Sequence, residues 1–134
     1  MNKDDVIVKN YASTCLLLLP GQLFNVEEIE ERLQADYIVA VDGGIVQADL
    51  LDLEPDLWIG DFDSCKVEDF PHFKHVLRKT FSTDKNETDT ELALLNMPQN
   101  TQDVSIIGGL DGRVDHFMGL MMLPLAYPYL NFHF

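Results

Sequence analysis

Basic residues are scarce in this chain: nine Lys and Arg stand against 23 Asp and Glu, a formal net charge of −14 over 134 residues. A surface that acidic is repelled by nucleic-acid phosphates and by anionic headgroups, so neither nucleic acid nor a membrane is an expected partner. Cysteine is nearly absent too. Cys15 and Cys65 form no C-x-x-C pair and no metal-ligand spacing. That excludes a disulfide scaffold and fits two reduced thiols in a cytoplasmic protein. The apolar run Cys15–Leu19 stops at Pro20-Gly21, far short of the ~20 residues that span a bilayer. No basic segment leads into a long apolar one near the start, so no secretory signal is expected. There is no internal repeat and no low-complexity tract.

What remains is a chain of single-domain size, 46% hydrophobic, with enough apolar side chains for a core. Residues 1–10 read as a loose or edge-strand start. Cys15–Leu19 and Tyr37–Val41 are continuous apolar runs, the pattern of strands buried on both faces. Further strands are expected at Asp56–Gly60, His75–Leu77 and Asp103–Ile107. Between them lie helical stretches: Asn25, as N-cap, to about Leu33; about Ile45 to Leu53; a turn at Val67–Phe70; and Leu92–Leu95, introduced by the capping box Thr88-x-x-Glu91. Strands alternating with helices imply an α/β fold, a mostly parallel sheet flanked by helices in three Rossmann-like layers. The last stretch, Phe117 to Phe134, is rich in Met, Leu, Phe and Tyr, with Pro124 and Pro128 breaking any long helix. So apolar an end predicts a surface covered by another domain or another chain.

The chemistry gathers on Trp58-Ile59-Gly60-Asp61-Phe62-Asp63-Ser64. On an extended backbone Asp61 and Asp63 point the same way, with Phe62 turned into the core. Two like charges that close repel unless a cation lies between them. Ligands that are oxygen alone suit Mg²⁺, which completes its shell with water and substrate phosphates. A solvated D-x-D turn gives the same string. An EF-hand does not, because Lys66 stands where that loop needs Gly and His72 where it needs Glu.

Three other turns follow expected strands. Asp42-Gly43-Gly44 combines a carboxylate with glycines that let a ligand approach the backbone. The polar loop Thr80–Asp89 carries Asp84, Lys85 and Thr88; Asp89 falls in the first helical turn, and Lys85, the loop's single cation, is placed to meet a phosphate. Gly108-Gly109-Leu110-Asp111-Gly112-Arg113-Val114-Asp115-His116 has the layout of a phosphate loop: strand, glycine turn, helix start. It is neither Walker A nor G-x-G-x-x-G. Arg113 supplies a fork for phosphate oxygens. His116 is a candidate ligand or acid, or an ordinary hydrogen-bonding residue. In open α/β sheets ligands bind at the edge where strands end, and all four turns belong to that edge.

In this order, Asp42-Gly43-Gly44, Pro55–Ser64, Thr88-Asp89 and Gly108-Gly109-x-x-Gly112-Arg113-x-Asp115-His116 resemble the N-terminal catalytic domain of the thiamin pyrophosphokinases, over about residues 13–123. The resemblance implies Mg²⁺-dependent transfer of a pyrophosphoryl group from ATP to the hydroxyl of thiamin, giving thiamin diphosphate and AMP. It implies Asp61, Asp63 and Asp89 as Mg²⁺ ligands and Asp42 as a further active-site acid. Arg113 and Asp115 match the nucleotide side. It also implies a homodimer, with thiamin bound at the dimer interface, and a C-terminal β-sandwich domain. Residues 1–134 would then be the catalytic domain of a longer protein. A Mg²⁺-dependent phosphohydrolase and a non-catalytic nucleotide-binding module are the alternatives.

Overall fold

The computed structural model describes residues 13–21, 33–62, 65–81, 88–109 and 114–134; at 89 and 114–117 it describes the backbone alone. Among these, six strands form one sheet: β1 (Thr14–Leu18), β2 (Tyr37–Val41), β3 (Leu57–Gly60), β4 (Leu77–Thr80), β5 (Asp103–Ile107) and β6 (Asn131–His133). Every pairing is parallel and the order is β4-β3-β2-β1-β5-β6. The helices are α1 (Ile45–Leu50), α2 (Asp89–Leu95) and α3 (Val114–Ala126), with 3₁₀ turns at Asp42–Gly44, Val67–Asp69 and Pro71–Phe73.

β1 is central because both of its faces are apolar. Cys15 and Leu17 point to one side, where Val39, Ile59 and Ile106 meet Ala93 and Leu94 of α2 and Leu120 and Leu123 of α3. Leu16 and Leu18 point to the other, where Ala40 and Trp58 meet Ile45 and Ala48 of α1. Leu16, Leu17 and Leu18 have no exposed surface, and burying each stabilises the fold by about 1.5–3 kcal/mol. Burial, with a smaller contribution from the charge of Asp56, pushes the Cys15 thiol up to about 12. Helices on both faces make this the expected three-layer α/β architecture.

Three expectations need correction. The fourth strand is Leu77–Thr80, not His75–Leu77. Val76 is a buried anchor just before it, whereas all four strand residues are exposed on the sheet edge. An edge strand has no need of an apolar run, and charges such as Arg78 and Lys79 protect it from pairing with other chains. The second is β6, which the sequence reading lacked altogether; it adds to β5 in the register Asp103↔Asn131 and Ser105↔His133. The third is Pro124, which does not end its helix. It lies within the last turn of α3, which runs on to Ala126. Met118, Met121, Met122 and Leu125 on that helix, and Tyr129 after it, are exposed. The expected strand start at 1–10 and the helix from Asn25 lie outside the described residues, apart from Leu33.

Candidate functional site

Because the sheet is parallel, the ends of β1, β2, β3 and β5 share one edge. Chain order reverses between β1 and β5, so the switch point of the sheet lies between them. There the turn after β1 is clasped from two sides. Leu19 N–H donates to the Ile107 carbonyl at 2.8 Å, and Gly109 N–H donates to the Pro20 carbonyl at 2.9 Å. Gly108 and Gly109 have φ of +89° and +81°, a region glycine enters without steric cost. A Cβ on Gly108 would lie 2.3 Å from the Leu19 oxygen. On the other side, a Cβ on Gly44 would lie 1.8 Å from the Leu18 oxygen. Gln47 of α1, 2% exposed, donates its side-chain amide to the carbonyls of Leu19 and Gly21. Gly44 and Gly108 thus make room for the protein's own central strand. Gly43 makes only ordinary contact with Pro20, its virtual Cβ lying 3.6 Å away.

The acids stand one strand further along. Asp42 has φ +48°, uncommon for a residue with a side chain. Its carbonyl accepts a 3.0 Å hydrogen bond from the indole N–H of Trp58. Its carboxylate lies against the end of β3: a Cβ on Gly60 would be 2.1 Å from Asp42 Oδ1, an atom with almost no exposed surface. Asp61, half-buried, follows Gly60 directly. The turns after β2 and β3 are therefore in contact, with Asp42 packed against the glycine that precedes Asp61. Burial, then the charges of Asp42 and Asp69, push the nearby Cys65 thiol up.

The chain does not stay extended beyond Gly60. Phe62 has φ +61°, which overturns the extended-backbone reason for pairing Asp61 with Asp63. The strand has ended, and Phe62 turns left-handed to set its ring edge-on to Trp58, with centroids 5.0 Å apart. The expected inward turn of Phe62 holds, since it packs on the core.

Thr88 caps α2, its hydroxyl accepting from Glu91 N–H at 3.2 Å. Asp89 is the first residue of that helix. Asp115 and His116 lie on the first turn of α3. Asp63, Ser64, Asp84, Lys85, Gly112 and Arg113 lie outside the described residues. Among the described residues no three His, Cys, Asp or Glu are grouped to hold a metal. A cavity of about 220 Å³ lies at the opposite edge, between Thr14, Asp103, Ser105 and His133. It is remote from the acidic turns that follow β2 and β3.

Sequence reasoning passed over Gln47 and the Pro20-Gly21 turn, and took Trp58 and Gly60 only as the strand that leads into the acids. The chain's single tryptophan, directly before an acidic turn, was a readable signal; so was a glutamine on the apolar face of α1. The clasp around β1 is long-range and left no local pattern.

An open parallel α/β sheet with carboxylates and glycine turns at its carboxyl edge defines a doubly wound domain of the ligand-binding kind. The family model for the thiamin pyrophosphokinase catalytic domain matches residues 30–131. The chain belongs to that family. Among solved structures it is similar to a thiamin pyrophosphokinase family protein from Enterococcus faecalis (28% identity, TM-score 0.65, 87% of this chain and 56% of that one). It is also similar to the thiamin pyrophosphokinase from Geobacillus thermodenitrificans (25% identity, TM-score 0.73, 89% and 57%). The thiamine pyrophosphokinase from Bacillus subtilis shares the fold (24% identity, TM-score 0.70, 86% and 55%). The chain thus spans little more than half the length of these relatives. No curated protein sequence matches it. No helix among the described residues is long and apolar enough to cross a membrane.

Proposed function

We propose that residues 1–134 serve as the N-terminal catalytic domain of a Mg²⁺-dependent thiamin pyrophosphokinase. The observation that carries the reading is the Asp42 carboxylate packed against Gly60, the residue directly before Asp61, at the carboxyl edge of the sheet, within the stretch that matches the family. The thiamin hydroxyl oxygen bonds to the β-phosphorus of ATP, the bond from that phosphorus to the α,β-bridging oxygen breaks, and AMP leaves. The hydroxyl proton passes to a base, and Asp42 is the residue proposed to orient that hydroxyl or take the proton. Such a transfer is catalysed mainly by positioning and by neutralising charge on phosphoryl oxygens.

The donors at this edge fit a hard divalent cation, since Asp42 and Asp61 offer carboxylate oxygen. Asp61, Asp63 and Asp89 would hold it. Bound Mg²⁺ supplies charge neutralisation across the phosphates. The chain's own part is to orient them: Arg113 and Lys85 as cations, and backbone N–H groups at Gly108 and Gly112 as donors, with Gly43, Gly44, Ser64, Asp84, Thr88, Gly109, Asp115 and His116 bordering the nucleotide. The same reading includes a cytoplasmic homodimer, a role for which the exposed apolar residues of α3 are suited.

The test is AMP release from ATP and Mg²⁺ by residues 1–134 joined to a C-terminal domain of the family, with and without thiamin, followed by chromatography, because the domain alone is expected to turn over little. The reading expects AMP and thiamin diphosphate in equal amounts, only when thiamin is present. Inorganic phosphate released without thiamin would favour a phosphohydrolase. Nucleotide binding with no product would favour a binding module.

A further inference from the structure

Trp58 has no exposed surface and touches both acidic turns. Its indole N–H is bonded to the Asp42 carbonyl at 3.0 Å, and Asp42 sits at φ +48°. Its ring takes the edge of Phe62 at 5.0 Å and of Phe70 at 6.0 Å. Phe62 directly follows Asp61 and is itself left-handed. Left-handed backbone at residues with side chains persists only where surrounding contacts hold it. Here one side chain supplies such a contact to each turn, by a hydrogen bond to one and by ring packing to the other. A buried indole N–H without an acceptor is costly, so the bond also fixes the ring.

We propose that Trp58 is a positioning residue that locks the Asp42 turn to the Asp61–Phe62 turn and so sets the spacing of the two carboxylates. The proposal rests on the reading above, in which Asp61 helps to hold the cation and Asp42 acts beside it in the same site. It predicts that the site is pre-formed by the core and that loss of a single N–H loosens it.

The test compares Trp58→Phe with Phe70→Leu in the intact chain, using Mn²⁺ alone as probe and electron paramagnetic resonance to count free ion. Trp58→Phe keeps an aromatic ring and loses the donor; Phe70→Leu loses ring packing and keeps the donor. Trp58→Phe is expected to weaken Mn²⁺ binding roughly three- to tenfold, the worth of one hydrogen bond, with an unchanged circular dichroism spectrum. Phe70→Leu is expected to lower the melting temperature and leave Mn²⁺ affinity within about twofold, because it keeps that hydrogen bond. Equal affinity in Trp58→Phe and the unsubstituted chain overturns the proposal, as does an equal loss in both variants or absence of Mn²⁺ binding by the unsubstituted chain. Should Trp58→Phe not fold, the unsubstituted chain decides. Its single indole N–H gives one ¹H–¹⁵N signal, which must shift on Mg²⁺ addition; a signal unmoved at saturation overturns the proposal. A protein that makes no AMP even with the family's C-terminal domain joined to it, yet shows the Trp58→Phe loss, refutes the enzyme reading and leaves the positioning role standing.

Discussion

Replacing Gly60 by alanine should disable the site while sparing the fold. The new Cβ would arise 2.1 Å from Asp42 Oδ1 and 3.0 Å from its Cγ. Ordinary contact between such atoms is at about 3.5 Å, so the carboxylate must retreat by about 1.4 Å. The two nearest atoms belong to a side chain, whose rotation costs less than a backbone shift, and Gly60 needs no left-handed backbone. The stability loss should therefore fall at the low end of overpacking, about 1 kcal/mol, or about 4 °C in melting temperature. The functional loss should be far larger, since misplacing a group by about 1 Å costs on the order of 10²-fold in rate. Thermal melts followed by circular dichroism and AMP release in the presence of thiamin measure the two effects. A Gly60→Ala protein that melts as expected and turns over at the unsubstituted rate would refute the placement of Asp42 in the site.

Other substitutions separate fold from site. Gly44→Ala would put a Cβ 1.8 Å from the Leu18 backbone oxygen, which has no side-chain freedom to retreat; a loss of about 3 kcal/mol is expected in urea unfolding, and a loss under about 1 kcal/mol would contradict the close approach. Asp61→Asn should leave the melting temperature within a few degrees and cut kcat by orders of magnitude; near-normal turnover would remove Asp61 from the site. Asp36 is held below the usual carboxylate range: burial pushes its carboxyl up, but the N–H groups and hydroxyls of Ser13 and Thr14 outweigh that. A lowered folded value means stability that is present above the unfolded pKa of about 3.9 and lost as pH falls through the folded one. Because the side chain is exposed, Asp36→Asn should cost under about 1 kcal/mol at pH 7 and close to nothing well below the folded value; an equal cost at both pH values would contradict the linkage.

Most of the sheet was legible because a strand buried on both faces writes a continuous apolar run. β1, β2 and β3 each lie within one residue of such a run, and β5 keeps Val104, Ile106 and Ile107 buried around Ser105. β4 and β6 were not, for opposite reasons. β4 is a polar edge whose only apolar neighbour, Val76, belongs to the preceding turn. β6 is three residues long, with Asn131 and His133 exposed, and follows an apolar segment that masks it. At the site, the acids and glycines stood out by type, and the parallel order placed their turns on one edge. What they do there depends on contacts across the sheet. Gly44 and Gly108 both yield to β1, and Asp42 is tied to Trp58 over 16 positions of sequence. The left-handed turn at Phe62 was hidden because no glycine or asparagine marks it.

The central claim is that carboxylates from separate strands converge on one divalent ion at the carboxyl edge of the sheet. Paramagnetic broadening of the ¹H–¹⁵N spectrum by substoichiometric Mn²⁺ tests it directly. The account predicts selective loss of the amide signals of Asp42, Gly60, Asp61 and Asp89, while Thr14, Asp103 and His133 at the other edge stay sharp. Broadening centred on Asp103 and His133, with Asp42 and Asp61 untouched, would contradict it.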